Sequence, residues 1–210
     1  MRDLAIYLDL DGVMANYDEG IRDLGFNPDP AKKNELNRSG SKDPFKRVMY
    51  EAIRGTEFYR DLPLMPGAVE LYRTIKDADP IIVTAAPKFG STEDDYYLNP
   101  YWLGAAYHKR YWTEYTLLPQ ALSYEVLHAG ETVPVLKDER IPIPDTRFIC
   151  TTSARKQEFM HRKHSPHQLL IDDRKANCEN WIAAGGYAIL HVDAETTIAQ
   201  LKAYRMAHAS

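Results

Sequence analysis

The sequence predicts an α/β protein: a Rossmann-like, three-layer α/β/α core around a parallel sheet, with a small helical cap inserted after the first strand. Three observations lead there. Short apolar runs rich in β-branched residues recur without the apolar/polar alternation of a half-exposed strand, so they read as strands buried on both faces. Helix-like stretches separate them, the order expected when helices cover a parallel sheet. A polar stretch full of helix breakers interrupts the alternation directly after the first run.

The first strand is AIYLDL, residues 5 to 10. Residues 17–60 follow it and are polar and helix-like, with NPDPAKKNELNRSGSKDP in their middle; they form the cap, and residues 1–16 and 61–210 form the core. GAVELYRTIKDA after Pro66 reads as a helix leading into the second strand, PIIVTA at 80–85. Residues 113–146 carry four prolines and no clean period, so they read as a second insertion, within the core and without an assigned role. The third strand is RFICTT at 147–152, and SARKQEFMHRK from Ser153 is expected to be a helix. QLLID (168–172) is the fourth strand, KANCENWIAAGG a helix stopped by its glycine pair, and YAILHV (187–192) the fifth strand.

Composition narrows the functional class. With 210 residues, 44% hydrophobic and 27% charged, the chain can build one sizeable core plus an appendage. A net charge of −4 and the lack of a dense Lys/Arg block argue against a long nucleic acid as partner. No apolar stretch approaches the roughly 20 residues of a membrane span, and MRDLAIYLDLDG lacks the pattern of a signal peptide, so a soluble, cytoplasmic protein is expected. Cys150 and Cys178 are too few for a disulfide framework and read as free thiols.

In a parallel α/β sheet, ligands bind beyond the carboxyl ends of the strands. The polar residues at or just past those ends are Asp9 and Asp11, Thr84, Lys156, and Asp172 and Asp173. Converging carboxylates repel one another, so a divalent cation is needed, and Mg²⁺ suits oxygen ligands while keeping waters that a phosphate can replace. A hydroxyl and an ammonium complete a site for a phosphoryl group. Lys163 is a rival for the ammonium, but its surroundings, HRKHS, read as a solvated helix end. His161, His164 and His167 lack Cys or acidic partners at zinc-ligand spacing and read as solvent-facing.

DLDGV at 9–13, Thr84, Lys156 and IDDR at 171–174 resemble, in order, the four motifs of the haloacid dehalogenase (HAD) superfamily of phosphatases. FYRDLPLMPGAVE (58–70), VTAAPK (83–88), KRYW (109–112) and TSARK (152–156) are similar to stretches of the 5'(3')-deoxyribonucleotidases. The resemblance covers most of the chain outside 18–55 and 113–146. It implies that Asp9 is a nucleophile forming an aspartyl-phosphate and that Asp11 is the general acid and base. It also implies a Mg²⁺ site made by Asp9, the main-chain carbonyl of Asp11, Asp172 and Asp173. Thr84, Lys156 and Lys88 would bind phosphate or substrate. Tyr17, Phe58 and Tyr59 stand where the family places aromatics around base and sugar, although Phe58 and Tyr59 are equally readable as anchors of the cap. Ala85 departs from the pattern, since the family has a second hydroxyl residue there.

The expected activity is Mg²⁺-dependent hydrolysis of nucleoside 5'-monophosphates, with deoxyribonucleotides favoured. The alternatives are the same chemistry on another small phosphometabolite, a receiver-like signalling domain, and a non-catalytic phosphate-binding module. The substrate would be a small phosphomonoester, with no membrane partner, and residues 113–146 could reshape the pocket or support a homodimer.

Overall fold

The computed structural model describes residues 4–28, 44–86, 100–122, 124–128, 131–134 and 140–208. The strands are β1 (Ala5–Leu8), β2 (Ile81–Ala85), β3 (Tyr124–His128), β4 (Glu131–Pro134), β5 (Phe148–Thr151), β6 (Gln168–Asp172) and β7 (Tyr187–Leu190). Five of them form one parallel sheet in the order β5-β2-β1-β6-β7, and each lies within one of the five apolar runs. β3 and β4 pair antiparallel as a separate hairpin. From β1 the chain moves outward through β2 to β5, then returns to the other side of β1 as β6 and continues to β7. The connections therefore diverge between β1 and β6, which opens a crevice at the carboxyl ends of those two strands.

The helices are α1 (Tyr17–Asp23), α2 (Pro44–Ile53), α3 (Ala68–Ile75), α4 (Pro100–Trp112), α5 (Leu118–Leu122), α6 (Lys175–Ala183) and α7 (Ala194–Ala207). Side chains alternate between the two faces of the sheet, as the pleat requires. Ile6, Leu8, Ile82, Leu169 and Ile171 join Leu71 of α3, Ala121 of α5 and Leu201 of α7 in one buried cluster. Tyr7, Ile81, Val83 and Leu170 point the other way, against Met160 and against Trp181 of α6. The result is three layers, α/β/α.

Residues 17–60 carry α1 and α2, with 29–43 outside the described residues. Asn16 caps α1: its Oδ1 accepts from Glu19 N–H at 3.2 Å while its Nδ2 donates to Glu19 Oε2 at 2.7 Å. Ile21 and Ile53 belong to the same buried cluster as the sheet, so these helices pack directly on the core.

The stretch 113–146 has two parts. Its first ten residues continue α4, through a π-helical turn (Thr113–Leu117) into α5. A π turn adds a residue to one helical repeat and shifts the apolar positions that follow, which hides the 3.6-residue period from sequence reading. The rest holds the hairpin and the return to β5. Buried Glu114 fastens that return, accepting from Arg140 Nε at 2.7 Å and from Ile143 N–H at 3.1 Å.

The expected helix over 153–163 is shorter and tighter: a 3₁₀ segment, Ser153–Phe159, that ends where Met160 turns extended (φ −63°, ψ 118°). The reason is burial. Met160 drops into the apolar cluster around Trp181, and Lys156 is drawn fully inside, leaving Arg162, Lys163 and His164 exposed in the turns that follow. Among the described residues no helix is long and apolar enough to cross a membrane.

Trp181 carries the thinner layer: it is fully buried, packs 4.7 Å from the Tyr7 ring, and its Nε1 donates to Gln168 O at 2.9 Å. Trp181→Ala is expected to cost about 3–5 kcal/mol in a urea unfolding experiment. A loss under about 1 kcal/mol would mean that this face is not a packed layer.

Candidate active site at the edge of the sheet

Register brings the carboxylates together. Leu8 pairs with Ile171, so the next residues, Asp9 and Asp172, emerge side by side, and Asp9 N–H donates to Ile171 O at 3.0 Å. Asp173 follows at the mouth. Carboxylate oxygens of Asp9, Asp172 and Asp173 all lie within 4.8 Å of one another. Two of the three are buried, Asp172 at 0% exposure and Asp9 at 4%.

Such a cluster is unfavourable unless compensated. Lys156, 1% exposed, compensates part of it: its Nζ lies 2.5 Å from Asp9 Oδ2 and 2.7 Å from Asp172 Oδ2. Burial alone would lower the Lys156 pKa, but the charges of Asp9 and Asp172 outweigh it and raise it, so the lysine stays protonated. Asp172 is further held by Arg174 N–H at 2.9 Å and by Asn177 Nδ2 at 2.9 and 3.0 Å from its two oxygens. Asn177 is oriented in turn, since its Oδ1 accepts from Ser153 Oγ at 2.8 Å. Compensation is incomplete. Burial and then Asp9 push Asp172 up to about 6; Asp173, open to solvent at the mouth but crowded by the surrounding protein, is pushed up to about 7 by desolvation and then by Asp9 and Asp172.

The turn after β1 is shaped for this cluster. Gly12 has φ +78°, and a Cβ there would meet Asp173 Oδ2 at 2.4 Å. Glycine is needed both for the backbone angle and for that approach. The loop is pinned by Ala15 N–H donating to Leu10 O at 2.8 Å and by Met65 N–H donating to Met14 O at 2.7 Å.

Asp11 faces a different partner. Its Oδ2 lies 2.5 Å from Nζ of Lys109, a residue on α4 that is 2% exposed and also donates to Thr84 Oγ1 at 3.3 Å. Among the described residues, Asp11 Oδ1 is buried without a hydrogen-bond partner. Burial raises the Asp11 carboxyl above its ordinary value, against the pull of Lys109 and with a further contribution from Asp9. Its side chain stands apart from the three-carboxylate cluster.

The structure thus brings together Asp9, Asp11, Thr84, Lys156, Asp172 and Asp173, while Lys163 is exposed and Lys88 lies outside the described residues. Next to Ala85, Ala86 N–H is engaged by the sheet, donating to Thr151 O at 2.9 Å. Tyr17, Phe58 and Tyr59 form one aromatic cluster with centroid separations of 5.5, 6.3 and 5.1 Å. Tyr59 connects it to the site, because Lys109 Nζ sits 4.3 Å from its ring centroid. Two residues at the site were given no role from the sequence: Asn177, and Lys109, quoted only as the first residue of KRYW. Burial raises the Tyr50 phenol of α2, with Arg174 opposing the rise and Asp11 adding to it.

The donor set fits a hard divalent cation. Three carboxylates converge with one lysine between two of them, and two keep raised pKa values that a cation would relieve.

Comparison with known proteins adds little at the level of residues. No protein-family model matches the chain, and no curated protein sequence matches it. Among solved structures, it is similar to a hydrolase from Streptococcus pneumoniae, with 13% identity, a TM-score of 0.39, and 96% of this chain and 100% of that one covered. A HAD-superfamily hydrolase from Ehrlichia chaffeensis gives 12% identity and a TM-score of 0.39 over 96% and 98% of the two chains. A HAD-family hydrolase from Deinococcus radiodurans, solved with bound phosphate and sodium, gives 14% identity and a TM-score of 0.33 over 94% and 87%. At these scores the likeness assigns no residue a role.

The raised carboxyls set a pH dependence. Without a divalent cation, the folded state holds on Asp173 a proton that the unfolded chain has released, so this group lowers stability as pH rises from about 4 to about 7. In EDTA, Asp173→Asn should therefore gain in Tm over wild type between about pH 5 and pH 7.5, and Mg²⁺ should reverse the order by stabilising only wild type. A difference that does not change with pH would contradict the charge cluster.

Proposed function

We propose that this protein is a Mg²⁺-dependent phosphomonoesterase of the haloacid dehalogenase type. Its substrates are nucleoside 5'-monophosphates, with deoxyribonucleotides favoured. One observation carries the chemistry: Asp9 lies beside two further carboxylates and a buried lysine, with a second aspartate two residues on whose burial raises its pKa.

Asp9 attacks phosphorus through a carboxylate oxygen, and the bond to the ester oxygen breaks as the aspartyl-phosphate bond forms. Asp11 gives its proton to the departing oxygen, for which its buried, unpartnered Oδ1 is suited. Water then attacks phosphorus, Asp11 takes its proton, and release of phosphate returns Asp9. Lys156, Lys109 and Thr84 supply positive charge and hydrogen bonds to the phosphoryl oxygens. Asp9, Asp172 and Asp173 would hold Mg²⁺, which when bound lowers the repulsion between carboxylate nucleophile and phosphate.

Sheet order weighs against a receiver-like signalling domain. Numbering only the five sheet strands along the chain, the order here is 3-2-1-4-5, whereas receiver domains have 2-1-3-4-5. A non-catalytic phosphate-binding module would be expected to have lost one of the two DLD carboxylates, yet Asp9 and Asp11 are both present. The nucleotide preference is supported by the aromatic cluster of Tyr17, Phe58 and Tyr59 next to Lys109.

Phosphate release from ribo- and deoxyribonucleoside monophosphates and sugar phosphates tests the reading. Nucleotides should be turned over with Mg²⁺ and not with chelator. Asp9→Asn should abolish turnover, and Asp11→Asn should lower kcat by about 10²–10⁴-fold. Full activity in Asp9→Asn, or in chelator, would overturn the mechanism.

A further inference from the structure

One edge of the sheet is left open. β7 is the last strand in the order, and among the described residues no strand pairs with it on its outer side. His191 N–H donates to Asp172 O at 2.9 Å, so Tyr187, Ile189 and His191 address β6. The alternation of a strand then turns the N–H and C=O of Ala188 and Leu190 outward. Such groups are a template for another strand, and proteins usually blunt them with charge, proline or a bulge. β7 has none of these: it reads YAIL and pairs with β6 in unbroken register.

The opposite edge differs. No residue of β5 is exposed, and the Arg110 guanidinium lies 6.0 Å from the Phe148 ring centroid. On β7, Tyr187 is 40% exposed and Leu190 39%. These two side chains point to opposite faces, so apolar surface flanks the outward backbone groups on both sides.

Charge selects the occupant. The start of β7 lies against the turn of Arg162, Lys163 and His164: His164 N–H donates to Ala184 O at 3.2 Å, and a Cβ on Gly185 would meet His164 Cα at 2.4 Å. All three side chains of that turn are exposed, and just past the other end of β7 stand exposed Asp193 and Glu195. A second copy laid antiparallel along this edge sets each basic end against an acidic one, whereas a parallel copy would set like against like.

The register follows from the free groups. Gly186 N–H is already given to Trp181 O at 3.2 Å, and the chain bends at Val192, which leaves Ala188 and Leu190 to pair. Setting Ala188 of one copy opposite Leu190 of the other uses every outward N–H and C=O of β7 and lays each leucine over a small side chain. We propose that β7 is a homodimer interface, in which two copies pair antiparallel through Ala188 and Leu190 about a two-fold axis at Ile189 and join their sheets into one. The contact is isologous, and the carboxyl ends of the two sheets point in opposite directions, so each copy keeps its own site. The proposal is independent of the phosphomonoesterase reading.

Sedimentation velocity of the full chain from about 1 to about 100 μM tests it, and wild type should show a dimer with a Kd below about 100 μM. Ala188→Pro removes an N–H that only the second copy uses, and Leu190→Lys sets a charge against the other copy, so each should weaken association at least about tenfold. Asp193→Asn keeps the α7 cap but removes the charge, and should weaken the dimer about threefold at low salt. Thermal transitions report whether each variant folds, and either edge variant decides alone should the other not fold. Wild type that stays monomeric at about 100 μM would overturn the proposal. So would an unchanged Kd in the folded edge variants, or in Asp193→Asn at low salt.

Discussion

Everything at the edge of this sheet depends on the pairing of one buried lysine with two buried aspartates. Lys156 reaches Asp9 at 2.5 Å and Asp172 at 2.7 Å, and all three are nearly inaccessible to water. Placing such charges in a low-dielectric interior is costly, and removing one partner leaves another charge uncompensated. The surrounding structure is arranged to keep them in place. Parallel register sets Asp9 beside Asp172, the short 3₁₀ segment turns Lys156 inward, and the start of α6 supplies the Arg174 N–H and the Asn177 amide. The pairing is deliberately short of balance, in the sense that one ammonium serves three carboxylates. That residual negative charge is one that a divalent cation would neutralise.

A second lysine joins chemistry to recognition. Lys109 touches Asp11, Thr84 and the Tyr59 ring, so one ammonium contacts the acid, the strand-end hydroxyl and the aromatic cluster of the cap. Trp112, one turn on, donates to Leu62 O at 2.6 Å and fixes α4 against the chain that leaves the cap. A change in the position of the cap is therefore felt at Asp11 through short, packed contacts. Under the proposed mechanism, these contacts would couple the cap to proton donation by Asp11.

Much of this was legible in the sequence. The five sheet strands are short apolar runs, and their ends carry Asp9, Thr84, Lys156, Asp172 and nearby Asp11 and Asp173, so strand position and polar chemistry could be read together. Lys109 stood out only as part of KRYW, and its role was not legible, for a physical reason. It stands next to Arg110 in a stretch with tyrosines on several faces, followed by a π turn that shifts the helical period, and its burial depends on contacts with β2 and the cap that are remote in sequence. Asn177 reads as an ordinary polar residue of a helix and gains its role only when β6 and α6 meet. The helix expected over 153–163 failed because its propensity was overridden by burial of Lys156 and Met160 on opposite sides of one short segment.

The proposed mechanism makes Asp9 a nucleophile set among carboxylates that a cation would make compatible with phosphate. It is tested most directly by acid quench during turnover of a labelled nucleoside monophosphate, followed by peptide mapping. The account predicts an acid-stable, hydroxylamine-sensitive phosphate on the peptide containing Asp9, formed only when Mg²⁺ is present and absent from Asp9→Asn. Steady turnover with no phosphate on that peptide, or the same label in Asp9→Asn, would contradict it.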